Sequence, residues 1–229
     1  MYTMLTQQQA QQFALENQTV TDNILKEHYQ IYILDQLYKS NFGNNLVFKG
    51  GTALKLAYNS IRFSEDLDFS ILNKVNYVDF KKTIQSLVNK FSESKIQDIY
   101  DKYNTLYAKI VFNIDFKPIP IGIKIEINKN KGKTDFQHSI GLMKSQFNNI
   151  EILAPIFTLE AILKDKMEIL KNGVRRQPRD LFDAWYIYQK LNQSFDIKPE
   201  YKYSKKELMD GLNPLLPKKY QKVISLFEK

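Results

Sequence analysis

Asp66-Leu67-Asp68-Phe69-Ser70-Ile71 constrains this chain more than any other stretch. Apolar residues alternate with polar ones, which is the pattern of a strand with one buried face. On such a strand Asp66 and Asp68 project side by side from the open face. Two adjacent carboxylates repel, and a divalent cation converts that repulsion into a binding site. The rest of the fold therefore has to bury Leu67, Phe69 and Ile71 on one side and keep the other side open for chemistry.

The residues before this strand supply a second element. Leu46-Val47-Phe48 reads as a short buried strand ending at Gly50-Gly51, and Thr52 to Tyr58 resumes a helical period. Glycine lets backbone approach a phosphate closely, and a helix N-terminus points N–H groups at it. Gly50, Gly51 and Thr52 are thus candidate nucleotide contacts, with the Thr52 hydroxyl as a further donor. Arg62 lies just ahead of the aspartates, and two readings are open for it: an orienting salt bridge, or a contact to triphosphate. Ser64 is placed to cap the turn into the strand and is counted with the nucleotide contacts. Glu65 is out of phase with the aspartates and is expected to face away.

Downstream, Ile123-Lys124-Ile125-Glu126-Ile127 alternates as a strand. If it lies beside the Asp66 strand, Glu126 becomes a third carboxylate; its structural alternative is a cross-sheet pair with Lys124 or Lys109. Phosphoryl transfer of the polymerase type uses such a trio, in which metal is clamped and one acid helps deprotonate the attacking hydroxyl.

Composition narrows the chemistry. The 229 residues include no cysteine and only two histidines, His28 and His138. Thiolate metal sites and a cysteine nucleophile are excluded, and a multi-histidine metal site nearly so. A metal has to be a hard cation on carboxylates, namely magnesium with manganese as the substitute. His28 and His138 are expected to be structural or exposed. The net charge of +8 favours an anionic partner, nucleic acid first. Arg175, Arg176 and Arg179 form the densest basic cluster and are candidate RNA contacts, with Lys124, Lys129, Lys131 and Lys133 in support. The polar start and the lack of a long apolar run predict a cytoplasmic chain with no signal peptide or membrane span.

The remaining pattern is mostly helical. Ile24, His28, Ile31, Leu34, Leu37 and Tyr38 recur at helical spacing, as do Phe80, Ile84, Leu87, Val88 and Phe91 between Tyr77 and Phe91. Leu106 to Phe116 and Ile121 to Asn128 read as strands, and Asn128 to Ser139 as an exposed lysine-rich loop. Thr158 is an N-cap, Lys171-Asn172-Gly173 a helix stop, Pro178 a first-turn residue, and Ser204 to Glu207 a capping box. The expected architecture is α+β: residues 1–150 form a core with N-terminal helices and a mixed sheet, and residues 151–229 form a helical region that completes the active site.

These motifs resemble the AbiEii family of nucleotidyltransferase toxins, within the polymerase-β-like nucleotidyltransferase superfamily. The resemblance rests on Phe48-Lys49-Gly50-Gly51-Thr52-Ala53-Leu54 and Arg62-Phe63-Ser64-Glu65-Asp66-Leu67-Asp68-Phe69. It continues in Lys124-Ile125-Glu126-Ile127, Leu163-Lys164-Asp165-Lys166 and Arg179-Asp180-Leu181-Phe182-Asp183. The wider superfamily commonly has Gly-Ser where this chain has Gly51-Thr52, and places its aspartates closer behind the glycines. The resemblance implies a polymerase-β-like core in which Asp66, Asp68 and Glu126 serve the metal. It further implies that Lys166 neutralises triphosphate charge and that Asp180 completes the site; Asp183, one turn on, is the less favoured alternative. It also implies a toxin of a toxin–antitoxin or phage-defence (abortive infection) pair, a cognate antitoxin from a neighbouring gene, a nucleoside triphosphate substrate, and the 3′ end of tRNA as acceptor. Two other classes fit the residues: a nucleotidyltransferase for a small molecule or a protein, and a non-catalytic module that binds RNA or a partner.

Overall fold

In the computed structural model, which describes residues 4–129, 137–173, 175–197 and 199–228, alternation and helical period become the layers of one α+β unit. Helices α1 (Gln7–Glu16) and α2 (Thr21–Tyr38) lead into β1 (Leu46–Lys49), α3 (Gly50–Tyr58), β2 (Leu67–Ile71) and α4 (Tyr77–Val88). Strands β3 (Ser94–Lys102), β4 (Thr105–Phe112), β5 (Ile121–Asn128), β6 (His138–Lys144) and β7 (Glu151–Phe157) follow. Helices α5 (Leu159–Asn172), α6 (Pro178–Lys190) and α7 (Lys205–Leu212) and a 3-10 segment, Lys218–Phe227, close the chain.

The seven strands form one mixed sheet in the order β3-β4-β5-β2-β1-β7-β6. β2 is antiparallel to β1 and parallel to β5, while β1 is parallel to β7. The inward residues of β2, β4 and β5, such as Leu67, Phe69, Ala108, Ile123 and Ile125, are fully buried with Phe80 and Ile84 of α4 and Ile31 and Leu34 of α2. Burial of this kind contributes about 25 cal/mol per Å² of apolar surface, which is what holds the helices to the sheet. Alternation then leaves Lys124 and Glu126 on the opposite face.

The caps follow the sequence signals. The Thr158 hydroxyl accepts from the Ala161 N–H, and Gly173 ends α5 in the left-handed conformation at φ 60°. Ser204 and Glu207 form the reciprocal capping box of α7.

Three differences from the sequence reading concern strands. β3 and β6, the two outer strands, carry no clear alternation and were not expected; β6 begins at His138, so His138 and Ser139 belong to a strand rather than to a loop. The sheet also runs past residue 150, because β7 pairs with β1 through Phe48 and Ile156. The helical part begins at α5. Residues 130–136, including Lys131 and Lys133, lie outside the described residues.

A second hydrophobic cluster holds the C-terminal helices together, with Leu170, Phe182, Leu208, Leu212 and Phe227 buried in it. It is tied to the core by backbone: the Phe63 N–H donates to the Leu215 carbonyl at 2.8 Å, and the Asn23 side chain donates to the Pro214 carbonyl at 2.8 Å. Among the described residues no helix is long and apolar enough to cross a membrane.

Candidate active site

The β1–α3 turn and the start of β2 meet at one point. Lys49 pairs in register with Asp68, and Asp68 with Glu126 on β5. One row across three strands therefore carries a lysine and two carboxylates on the open face, and Asp66 stands just before it.

Gly50 is required here for two reasons. Its φ is 79°, and a Cβ would sit 2.7 Å from Oδ2 of Asp68. A Cβ on Gly51 would strike the guanidinium of Arg62 and the hydroxyl of Ser64. Lys49 gives the first turn of α3 no side-chain cap, and Gly50 and Gly51 of that turn line the cleft. Thr52 has a different task from the one its position suggests. It is fully buried, and its hydroxyl donates to the Asp66 carbonyl, fixing the backbone of the aspartate segment beneath the cleft.

Helices α5 and α6 provide the opposite wall. Lys166 is 7% exposed and its Nζ donates to Oδ1 of Asp180 at 2.6 Å, with Oδ2 of Asp183 at 2.8 Å. Asp183 is also held by Arg62, through Nε at 2.6 Å and Nη2 at 2.7 Å. Of the two readings for Arg62, the geometry is that of the salt bridge, since its third nitrogen donates to the Phe63 carbonyl. Both Asp180 and Asp183 are fully buried. Asp183 is the residue that sequence reasoning ranked second, yet it links Lys166 to Arg62; one helical turn between two acids behind Pro178 was the available signal. Burial alone would raise the Asp183 carboxyl, but Arg62 and Lys166 outweigh it and hold it at about 2.

The cleft between these walls has a volume of about 160 Å³. Its lining includes Gly50, Gly51, Ser64, Asp66, Asp68 and Lys166, together with Lys49 and Asp165, which the sequence reading had not singled out. Lys49 and Asp165 are 3.7 Å apart across the cleft. Arg175 and Arg179 reach the same cleft, whereas Arg176 packs on the Tyr201 ring, 4.5 Å from its centroid. The arginine cluster is thus divided between the cleft and the outer surface. A larger cavity, about 710 Å³, lies between α1, α2 and residues 146–151 and contains none of these groups.

Charge decides what the cleft can hold. Burial, then the neighbouring charges of Asp66 and Glu126, push the Asp68 carboxyl up, and Lys166 and Lys49 only partly oppose them. Lys124 lies 3.9 Å from Asp66. Glu65 is outside the cleft lining and pairs with Lys26 at 2.5 Å, yet it also stands 3.7 Å from the cleft-lining Arg179. Among the described residues no three acids or histidines converge tightly enough to cage a metal by themselves. Two adjacent carboxylates with a third one strand away are nevertheless the oxygen donors that a magnesium ion takes when phosphate and water complete its shell. The residues present fit such an ion. Facing them, Lys166 and the two arginines fit a polyphosphate.

Residues 32–215 match the nucleotidyl transferase AbiEii toxin family of type IV toxin–antitoxin systems. The chain belongs to the AbiEii family. It is therefore a nucleotidyltransferase toxin, and the family implies a nucleoside triphosphate substrate and an antitoxin partner. No curated protein matches. Among solved structures, MenT4, a nucleotidyltransferase toxin from Mycobacterium tuberculosis H37Rv, aligns with a TM-score of 0.61 at 16% identity, over 98% of this chain and 87% of that one. JHP933 from Helicobacter pylori aligns with a TM-score of 0.54 at 20% identity, over 90% and 73% of the respective chains. At such identities the likeness is one of fold alone: the mixed sheet and helices of this AbiEii chain follow the fold of MenT4 and JHP933.

Proposed function

We propose that this AbiEii toxin transfers a nucleoside monophosphate from a nucleoside triphosphate to the 3′ end of tRNA in the cytoplasm, blocking translation as part of a toxin–antitoxin or phage-defence pair. The observation that carries the reading is the composition of the cleft: the Asp66–Asp68 pair on one wall, and Lys166, Arg175 and Arg179 on the other. One wall suits a cation and the other a triphosphate.

In this reading Asp66 and Asp68, with Glu126, would hold magnesium or manganese. Such an ion, when bound, supplies charge neutralisation and Lewis-acid polarisation at the α-phosphate. Gly50 and Gly51 let the triphosphate approach the N–H groups of α3. Lys166, Arg175 and Arg179 stabilise charge on the phosphates, while Asp180 and Asp183 keep Lys166 in place. The acceptor hydroxyl oxygen bonds to the α-phosphorus, the bond from that phosphorus to the bridging oxygen breaks, and pyrophosphate leaves. Glu126, exposed beside Asp68, takes the hydroxyl proton. The first 150 residues and the helices that follow contribute jointly to this site.

The test is incubation of the purified chain with total tRNA, magnesium and each labelled nucleoside triphosphate in turn, with Asp66→Ala as control. Label on tRNA from the wild type alone is the expected result. Label on protein, or pyrophosphate release with a small acceptor, keeps the chemistry and refutes the acceptor. No turnover with any acceptor refutes the enzyme.

A further inference from the structure

The row that carries Lys49, Asp68 and Glu126 does not stop at β5. Glu126 pairs in register with Tyr107 of β4, and Tyr107 with Tyr100 of β3. Residues paired across a sheet share a face. Five strands therefore present, in one line, Lys49, Asp68, Glu126, Tyr107 and Tyr100. The two tyrosine rings are stacked, with centroids 4.5 Å apart and planes within 7°. One face of Tyr107 is thus against Tyr100, and the other turns toward the Glu126 side. Tyr100 is in turn covered by Lys102, whose Nζ is 4.7 Å from the ring centre.

The surroundings are basic. Lys109 and Lys124 are directly opposite each other on β4 and β5, flanking the tyrosine row. Like charges in that position are unfavourable unless an anion or acid lies between them. Asp98 meets Lys109 from one side and Asp66 approaches Lys124 from the other, leaving the strip with three lysines, Lys102, Lys109 and Lys124, for one acid outside the cleft. Both tyrosines are half-buried, and Tyr103 at the tip of the β3–β4 hairpin is 94% exposed.

We propose that the Tyr100–Tyr107 stack is the platform for the unpaired 3′ nucleotides of an RNA acceptor, with a base stacked on the Glu126-side face of Tyr107 and phosphates on Lys109 and Lys102. It rests on the nucleotidyl-transfer reading and adds to it the place where the acceptor lies. Neighbouring strands are about 4.8 Å apart, so Tyr107 stands two strands, about 10 Å, from Asp68. That is the reach of one nucleotide, and its terminal hydroxyl then falls over Glu126. Aromatic stacking with adjacent lysines binds single strands with little regard to base.

The test is fluorescence anisotropy of a labelled single-stranded RNA oligonucleotide with the full chain, without nucleotide, alongside transfer kinetics on tRNA. Tyr107→Ala and Tyr100→Ala are expected to weaken oligonucleotide binding about tenfold or more and to raise KM for tRNA to match, with kcat and KM for the nucleoside triphosphate unchanged. Tyr107→Phe, which keeps the ring, should stay within about twofold of wild type. A merely structural tyrosine pair would instead lower the melting temperature and leave the ratio of KM to kcat alone. If wild type labels tRNA and the alanine variants do so with the same KM, the platform is overturned and the transfer reading stands. If wild type binds no single-stranded RNA and labels only protein, the platform and the tRNA acceptor are both overturned while the transfer chemistry stands.

Discussion

Arg62 donates two hydrogen bonds to the Asp183 carboxylate, at 2.6 and 2.7 Å, and both side chains are buried. The pair joins the segment ahead of β2 to the middle of α6, and through Lys166 it reaches the cleft. Removing one partner of a buried ion pair leaves an uncompensated charge, which costs about 3–5 kcal/mol. Asp183→Ala is accordingly expected to lower unfolding free energy by about that amount, read from urea denaturation. A loss below about 1 kcal/mol would mean that the pair is not what clamps α6 to the core.

Acid should act through the same carboxylate. The Asp183 carboxyl sits at about 2 in the folded chain against an ordinary 3.8, because Arg62 and Lys166 outweigh its burial. A depressed carboxylate stabilises fully above its unfolded value and stops doing so as pH falls through its folded value. The contribution, about 2 kcal/mol, is therefore present at neutral pH and lost between about pH 4 and pH 2. Melting curves across that range should fall more steeply for wild type than for Asp183→Asn.

The Arg62–Asp183 pair also marks the limit of what the sequence makes readable. Asp66 and Asp68 declare themselves by alternation, and Gly50-Gly51 by sitting between a strand and a helix. Periodicity likewise locates α2, α5 and α6. The partner of Arg62 is invisible in the sequence, because 121 residues separate it from Asp183 and nothing local encodes a tertiary pair. Thr52 looks like a phosphate donor until the fold turns its hydroxyl to the Asp66 carbonyl. The strands that escaped reading did so for physical reasons. β3 and β6 lie at the sheet edges, where neither face is continuously buried, so neither needs a strict alternation. β7 carries Pro155, a residue that argues against a central strand, and it pairs in register with β1 only between Ile156 and Phe48 among the described residues.

The division of the arginine cluster gives a contrast within five residues of sequence. Arg175 and Arg179 line the cleft and Arg176 lies on Tyr201. Arg175→Ala or Arg179→Ala should raise KM for the nucleoside triphosphate about tenfold, the scale of one charge-assisted phosphate contact. Arg176→Ala should leave it within about twofold. Steady-state kinetics with the nucleotide varied decides this, and equal effects from all three would point to a diffuse basic field instead.

Gly50 is the tightest point of the turn. With φ at 79° and Oδ2 of Asp68 only 2.7 Å from any added Cβ, alanine meets both backbone strain and a displaced carboxylate. The strain alone costs about 1–2 kcal/mol. Gly50→Ala is expected to melt a few degrees lower and to lose transfer at least about tenfold, since it moves Asp68 directly. Wild-type kcat in this variant would separate the glycine turn from the chemistry.

Asp68 sets stability against function most directly. Burial and the charges of Asp66 and Glu126 all disfavour its ionised form, and Lys166 and Lys49 compensate only in part. In the folded chain without a cation this carboxylate is thus a source of strain, and neutralising it removes repulsion at almost constant shape. Asp68→Asn should melt slightly higher than wild type in the presence of a chelator, yet lose transfer by a factor on the order of a thousand, the scale seen when one charge-stabilising group leaves an active site. The same comparison with magnesium added should reverse in order, because an ion that binds only the folded state stabilises it by mass action and wild type binds it better. An asparagine variant that melted lower than wild type in chelator would show that Asp68 is held for packing; one that kept its activity would remove it from the reaction.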